Sequence, residues 1–341
     1  MSRSKRVTIA DIARQAGVSP GAVSFALNGR PGVSEETRQR ILAIADEHQW
    51  RPSSTARALV GARAGVVGFA VNRPARTLGT EAFFTDLIAG VQSALAARRI
   101  GLQLVVVPSM DEEMETYRRW RRSNQVDGVL VLDPRVDDPR PGLLRSLGLP
   151  SITIGGQPSP DGMHATLWLD DADAARTVFG YLAGLGHRSI VYISGPAEHE
   201  HVRLRSSILA GMGERDVAGE LIQTDYSPAQ VSTIMRTLLS RAERPTAVVF
   251  DNDMMAIAGL RITQEMGVAV PAGLSLASFD DSIVTGLVRP SITCLTRDTF
   301  TLGETAADFL IEQLDSAEVL PDRTGPQPRL TVRESTAPPH S

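Results

Sequence analysis

From Val66 onward, short apolar runs alternate with amphipathic helical stretches, and this alternation restricts the fold more than any other feature of the chain. Strands are expected at 66–71, 102–107, 128–132, 151–154, 189–193, 221–224, 247–250, 275–279 and 292–295. The clearest helix, 83–99, carries Phe84, Leu87, Ile88, Val91 and Leu95 on one face. Apolar strands separated by helices belong to parallel sheets covered on both faces. The number of strands, with a fresh start near Ala165, predicts two such sheets and therefore two lobes. Ligands of open α/β sheets sit beyond the carboxyl ends of the strands, so a cleft between the lobes is the expected binding site.

The first 60 or so residues follow a different pattern. Thr8 with Asp11 three residues later can cap a first helix that ends at Ala16-Gly17. Ser19 is a suitable N-cap and Pro20 a suitable first residue for a second short helix, with Val23 and Leu27 inward. A turn-rich break at 28–32 precedes a third helix capped by Ser34, and Ile41, Ile44 and Ala45 close a small three-helix core. Two helices joined by a glycine-containing four-residue turn form a helix-turn-helix, although composition alone also suits an ordinary small bundle. Residues 1–63 hold ten lysines and arginines against five acids, a net of +5, so the rest of the chain carries −9 of the total of −4. A basic head on an acidic body points to a polyanion partner for the head.

Several function classes are disfavoured. The N-terminal stretch lacks the apolar core of an export signal, and no run reaches the roughly 20 apolar residues of a membrane span, so a cytoplasmic protein with no membrane partner is expected. The lone Cys294 excludes an intrachain disulfide and a cysteine-rich zinc site. No nucleophile elbow, Walker loop or complete dinucleotide fingerprint is present, so neither an enzyme nor a cofactor is expected. His199-Glu200-His201 invites a metal reading, but histidines two apart do not share a helical face and no third ligand is evident; no metal is expected.

The segments Thr8-Ile9-Ala10-Asp11-Ile12-Ala13, Ala16-Gly17-Val18-Ser19, Ala22-Val23-Ser24, Leu27-Asn28, Val33-Ser34-Glu35-Glu36-Thr37-Arg38 and Arg51-Pro52-Ser53-Ser54-Thr55-Ala56-Arg57-Ala58-Leu59 resemble, in order and spacing, the head and hinge of LacI-family transcriptional regulators. Sparser matches continue through Val126-Asp127-Gly128, Leu185-Gly186-His187-Arg188, Asp251-Asn252-Asp253, Ser278-Phe279-Asp280-Asp281 and Leu330-Thr331-Val332-Arg333-Glu334-Ser335-Thr336. The resemblance implies a helix-turn-helix head (1–50), a hinge helix and linker (51–64) and a periplasmic-binding-protein-like α/β core (65–341). Lobe 1 would take about 65–162 plus 296–322, and lobe 2 about 163–290 plus 326–341. It also implies a repressor that binds a palindromic operator and is released by a small effector, a sugar in the first instance. A purine-like co-repressor is the alternative, and a solute-binding transport component the alternative from another class. The leucine-rich tail by which some members tetramerise does not follow Thr336, so a homodimer is expected.

The same resemblance implies the site residues. Expected DNA contacts are Thr8, Ser19, Pro20, Gly21, Ala22, Ser24, Phe25 and Asn28 in the head, with Arg57 and Leu59 in the hinge. Leu59 matches the leucine that wedges between base steps in the minor groove. Pro20, Gly21 and Phe25 stand where other members carry base readers, which removes bidentate readout of guanine or adenine there. Specificity is therefore expected to lean on DNA shape and on Leu59 at a deformable central step. Expected effector contacts are Asn72, Phe83, Arg205, Tyr226, Asn252 and Asp280, with Arg203 the alternative to Arg205. Phe84 is expected in the core, Asp281 as a helix cap, and Trp120 and Trp168 as packing residues. Ile208 replaces a glycine that follows the effector arginine in many members.

Overall fold

The computed structural model describes residues 7–27, 31–48, 50, 63–159 and 161–340. It divides into two compact units, 1–64 and 65–341. In the first, α1 (Ile9–Ala16), α2 (Pro20–Leu27) and α3 (Glu35–Glu47) pack around Ile12, Ala13, Val23, Ala26, Ile41 and Ala45. The predicted caps are in place. Thr8 and Asp11 form a reciprocal capping box, the Ser19 hydroxyl accepts from the Ala22 amide at 3.2 Å, and that of Ser34 accepts from the Thr37 amide at 3.3 Å. Gly17 ends α1 at φ +67°, a left-handed conformation natural to glycine.

The second unit contains two sheets. The first has the order β11-β5-β4-β3-β1-β2, with β1 Val66–Val71, β2 Gly101–Val106, β3 Gly128–Leu132, β4 Ser151–Ile154, β5 Ala165–Trp168 and β11 Arg323–Thr324. All of its pairings are parallel. The second has the order β12-β10-β9-β8-β6-β7, with β6 Ser189–Ser194, β7 Ala218–Gln223, β8 Ala247–Phe250, β9 Ser275–Ser278, β10 Thr293–Thr296 and β12 Arg329–Thr331. It is parallel except for β12, which runs antiparallel to β10. Each lobe thus repeats the doubly wound order 2-1-3-4-5, whose switch point lies beside its first strand.

Helices Ala82–Ala97 and Thr299–Asp315 cover one face of the first sheet, burying Phe84, Leu87, Val91, Leu302, Phe309 and Leu310. Gly90 and Gly303 let these helices touch backbone to backbone. A Cβ on Gly90 would lie 2.0 Å from the Phe300 carbonyl oxygen, and one on Gly303 would lie 2.2 Å from that of Leu87. Tyr117, Trp120 and Leu144 cover part of the opposite face.

The lobe boundaries differ from expectation. β5 pairs with β4, so the first lobe runs through Trp168 rather than ending at 162. β10 keeps Thr296 in the second sheet, and the chain crosses at Arg297-Asp298. Four-residue strands such as β5 are too short to reveal their sheet; register alone assigns them. The last crossing lies between β11 and β12, and beyond it Ser335 bonds to Leu276 and Thr293, fastening the chain end to the second sheet.

Candidate functional site

On α2, Val23 and Ala26 face the core, which turns Pro20, Gly21 and Phe25 outward beside the exposed cap Ser19; Ala22 and Ser24 are half-buried. Phe25 is 41% exposed, and its ring lies over Gly32, whose Cβ would sit 3.3 Å from it. The outward face therefore offers a hydroxyl, two residues without hydrogen-bonding side chains and an aromatic edge. The Thr8 side chain is engaged with Asp11 at the start of α1. Asn28, Arg57 and Leu59 lie outside the described residues.

In the core, a cleft between the lobes lies beyond the carboxyl ends of both sheets. It is lined by Phe83, Phe84, Arg205, Tyr226, Asn252 and Asp280, with Arg73, Glu81, Asp133, Asp171, His201, Asp251 and Arg297 adding to its polar surface. Five of the six expected effector residues are thus brought together. Asn72 does not line the cleft. Side chains alternate along β1, and continuing that alternation turns Asn72 to the opposite side, where its amide oxygen can face the Met110 amide and Arg135 Nη2 at 3.2 and 2.7 Å. Arg73, the next residue, takes the cleft position. Phe84, expected in the core, is both core and cleft wall, its ring edge-on to Phe83 at 5.6 Å.

Arg205 is buried between two acids. Its Nη2 donates to Asp171 Oδ1 at 2.6 Å and its Nη1 to Asp251 Oδ1 at 2.6 Å, while the guanidinium lies 4.3 Å from the Phe279 ring centroid. Burial works to raise the Asp251 carboxyl, but Arg205, His201 and Tyr192 outweigh it and hold the group far below the usual carboxylate range. Asp171 is likewise lowered, because Arg205 outweighs its burial. Arg203, by contrast, is exposed beside Glu200, so geometry separates two candidates that sequence left open.

Arg73 reaches across from the first lobe. Its Nε and Nη2 donate to Asp133 Oδ2 at 3.0 and 2.7 Å, and its guanidinium lies 4.0 Å above the Tyr226 ring of the second lobe. Tyr226 holds φ +67°, and its ring fills the space where Gly195 would carry a Cβ, 1.9 Å from the nearest ring atom. Asn252 caps helix Asp253–Glu265 through Oδ1, which accepts from the Met255 amide at 2.8 Å. Its buried Nδ2 has no partner among the described residues and is available as a donor in the cleft. Burial, reinforced by neighbouring acids, pushes Glu81 up to about 8 and Asp280 up to about 7. Asp281, expected as a cap, bonds Arg333, Thr285 and Thr296 instead; the adjacent Ser282 caps Ile283–Leu287. Ile208 packs at the margin of the second lobe's core.

Two backbone hydrogen bonds close a seam between the lobes, from the Val136 amide to the Glu198 carbonyl at 3.0 Å and from the Glu200 amide to the Pro134 carbonyl at 2.9 Å. His199 lies in this seam with its ring stacked on His201, and burial lowers it to about 4. Among the described residues no group of acids, histidines and cysteine could hold a metal, and no helix is long and apolar enough to cross a membrane. The remaining space in the cleft is only about 70 Å³, against several hundred for a site holding a small ligand. The cleft is closed on its own side chains, and a ligand must part the lobes or displace Arg73.

Sequence reading missed Arg73, Glu81, Asp133, Asp171, Asp251 and Arg297. Asp251 stood beside the expected Asn252, and a strand-end charge was the available signal for Arg73 and Asp133. Another missed group fixes the end of β3: the buried Arg140 bonds Glu113, Asp138 and the carbonyls of Leu132 and Asp133.

Comparison with known proteins places both units. Residues 8–53 match bacterial regulatory proteins of the lacI family, and residues 179–336 match a periplasmic binding protein-like domain. The chain is 31% identical to the transcriptional regulator CelR of Thermobifida fusca over 98% of its own length and 100% of that protein. It is 29% identical to the transcriptional repressor PurR of Escherichia coli O139:H28 over 97% of each. A solved CelR-cellobiose complex superposes with TM-score 0.72 at 28% identity, covering 97% of this chain and 100% of that one.

Proposed function

Because the chain belongs to the lacI family of bacterial regulatory proteins, we propose that it is a dimeric cytoplasmic repressor released from its operator by a neutral, polyhydroxylated effector of the sugar class. It is a DNA-binding transcriptional regulator and not an enzyme. The effector reading is carried by the balance of groups in the cleft. The three arginines Arg73, Arg205 and Arg297 are offset by the lowered acids Asp133, Asp171 and Asp251. The raised Glu81 and Asp280 and the free amide of Asn252 add hydrogen-bonding capacity at little net charge. Paired donors and acceptors suit vicinal hydroxyls, and Phe83 and Tyr226 offer apolar faces for the C–H side of a ring. The CelR relative, solved with cellobiose, supports the same class.

A ligand shifts the equilibrium between lobe arrangements only through its differential affinity for them. Here a sugar would replace the contacts of Arg73 and reset the seam. The dimer is supported by Ile283, Val284 and Leu287, which expose apolar surface on one short helix. The deciding experiment is operator binding by fluorescence anisotropy, after a thermal-shift screen of sugars, sugar phosphates and purines. A neutral sugar that stabilises the protein and weakens operator binding severalfold is the expected result. A purine that strengthens operator binding would establish the co-repressor reading instead, and hits that leave operator binding unchanged would refute effector control.

A further inference from the structure

We propose that the first lobe carries a second small-molecule site, separate from the cleft, that takes a neutral polyhydroxylated ligand and is read through the lobe seam. The site is a cavity of about 470 Å³ between helix Arg140–Ser146 and the loop joining β4 to β5. That volume lies within the range of ligand pockets, unlike the closed cleft. Thr153 and Thr166 are among the residues lining it, an adjacent cross-strand pair on β4 and β5. Their neighbours Ile152, Ile154, Ala165 and Leu167 point to the other face and are core. A pair of buried threonines where this sheet otherwise buries valine and leucine is a cost unless something bonds them. Thr166 is 0% exposed, and its hydroxyl has no partner among the described residues. A buried unpaired hydroxyl is among the more expensive features a fold can keep.

The lining identifies the ligand class. Most of the acids here are already engaged: Asp138 by Arg140, Asp161 by Ser159 and the Met163 amide, and Glu200 by the Gln157 amide. Arg145 and the Thr166 hydroxyl make no hydrogen bond or ion pair among the described residues. Counting Arg140 at its edge, three guanidiniums stand among the four carboxylates of Asp137, Asp138, Asp161 and Glu200, so the lining has no excess of positive charge, which favours a neutral ligand over an anion. Pro134, Pro141, Pro158 and Met163 give apolar surface for C–H groups. The seam supplies the coupling, because Arg135 and Glu200 line the cavity and flank the two inter-lobe hydrogen bonds.

Hydrogen–deuterium exchange on the full chain tests this, using D-glucose, D-galactose, D-mannose, D-xylose, cellobiose and, as the anionic control, citrate. At least one neutral probe should slow exchange across 155–166 and at the seam amides of Val136 and Glu200. That protection should persist in Arg205→Lys, which impairs the cleft. Thr166→Val, which is isosteric, should need at least about tenfold more sugar for half-protection while its Tm does not fall. Arg145→Ala, at an exposed position, should weaken protection in the same direction. No protection by any neutral probe, protection by citrate alone, or protection lost in Arg205→Lys would each overturn the second site. Failure of the cleft reading would show separately, as operator binding indifferent to every sugar.

Discussion

Replacing Arg205 with methionine should expose how much of the cleft is held by one guanidinium. The wild-type residue is 7% exposed and bridges Asp171 and Asp251, which are 2% and 3% exposed. Methionine fills a similar volume, so the dominant effect is two buried carboxylates without their counter-ion. Breaking a buried pair in this way costs ~3–5 kcal/mol. For a unit of this size that is a fall in Tm on the order of 10 °C. The pH dependence separates electrostatics from packing. In the parent, both acids have folded values below the usual 3.8, so their contribution is complete above about pH 4 and is lost only as pH falls through those lower values. In the variant, the largest charge opposing burial is gone, leaving His201 and Tyr192 beside Asp251 and Arg297 and His201 beside Asp171, so both values move upward and lowering the pH from about 8 to 5 lets the acids begin to take up protons. The Tm gap should therefore be widest at pH 8 and narrow at pH 5. Thermal melts followed by circular dichroism across this range measure it. A gap of under 2 °C, or a large gap independent of pH, would refute the charge-bridge account. Arg205→Lys should recover part of the Tm at pH 8, yet lose effector-induced release, because lysine restores charge without the two-pronged geometry.

Glu81→Gln should stabilise the protein at high pH. A carboxyl raised to about 8 penalises the fold progressively as pH climbs from about 4.5, so the gain in stability should grow toward pH 9, to the order of a few kcal/mol, and vanish near pH 4, read as the Tm difference in a melt series. Leu287→Glu, at a residue 73% exposed on the apolar helix, should shift the chain from dimer to monomer in sedimentation velocity and weaken operator binding at least tenfold without lowering the thermal stability of the core. Leu59→Ala should cost more discrimination between operator variants than Phe25→Ala in a competition assay; the opposite order would return base selection to α2. Thr8→Ala should destabilise the head by ~0.5–2 kcal/mol, measured by chemical denaturation of the isolated unit 1–64 if that segment folds alone, or by head-specific exchange in the full chain.

Local signals were legible where they did not depend on distant partners. Thr8, Ser19 and Ser34 announce helix starts by residue type, and all three cap as read. The strands 66–71, 128–132, 151–154 and 247–250 were bounded correctly because apolar runs between turn residues have few other uses. β5 failed as a separate element because four residues with one threonine carry no period, and its sheet is decided by the register Ile152↔Ala165 across a loop. β11 and β12, two and three residues long, are strands only because a neighbour accepts them.

The cleft was legible to the extent that strand ends were, and the errors there follow from the same geometry. Asn72 and Arg73 both follow β1 and both could bond a ligand; alternation about a pleated strand selects one of them, and the parity of Phe69 and Val71 in the core assigns it to Arg73. Sequence does hold that parity, but only once the inward face of β1 is known, and VVGFAV is apolar at every position except glycine. A doubly covered strand thus hides the register that a half-exposed one would display. Asp133, Asp171 and Arg297 are harder still, since each becomes a cleft residue only through an arginine or carboxylate contributed by another segment of the chain. The buried charges that define this cleft are identifiable by pairing, and pairing is a property of the fold rather than of any window of sequence.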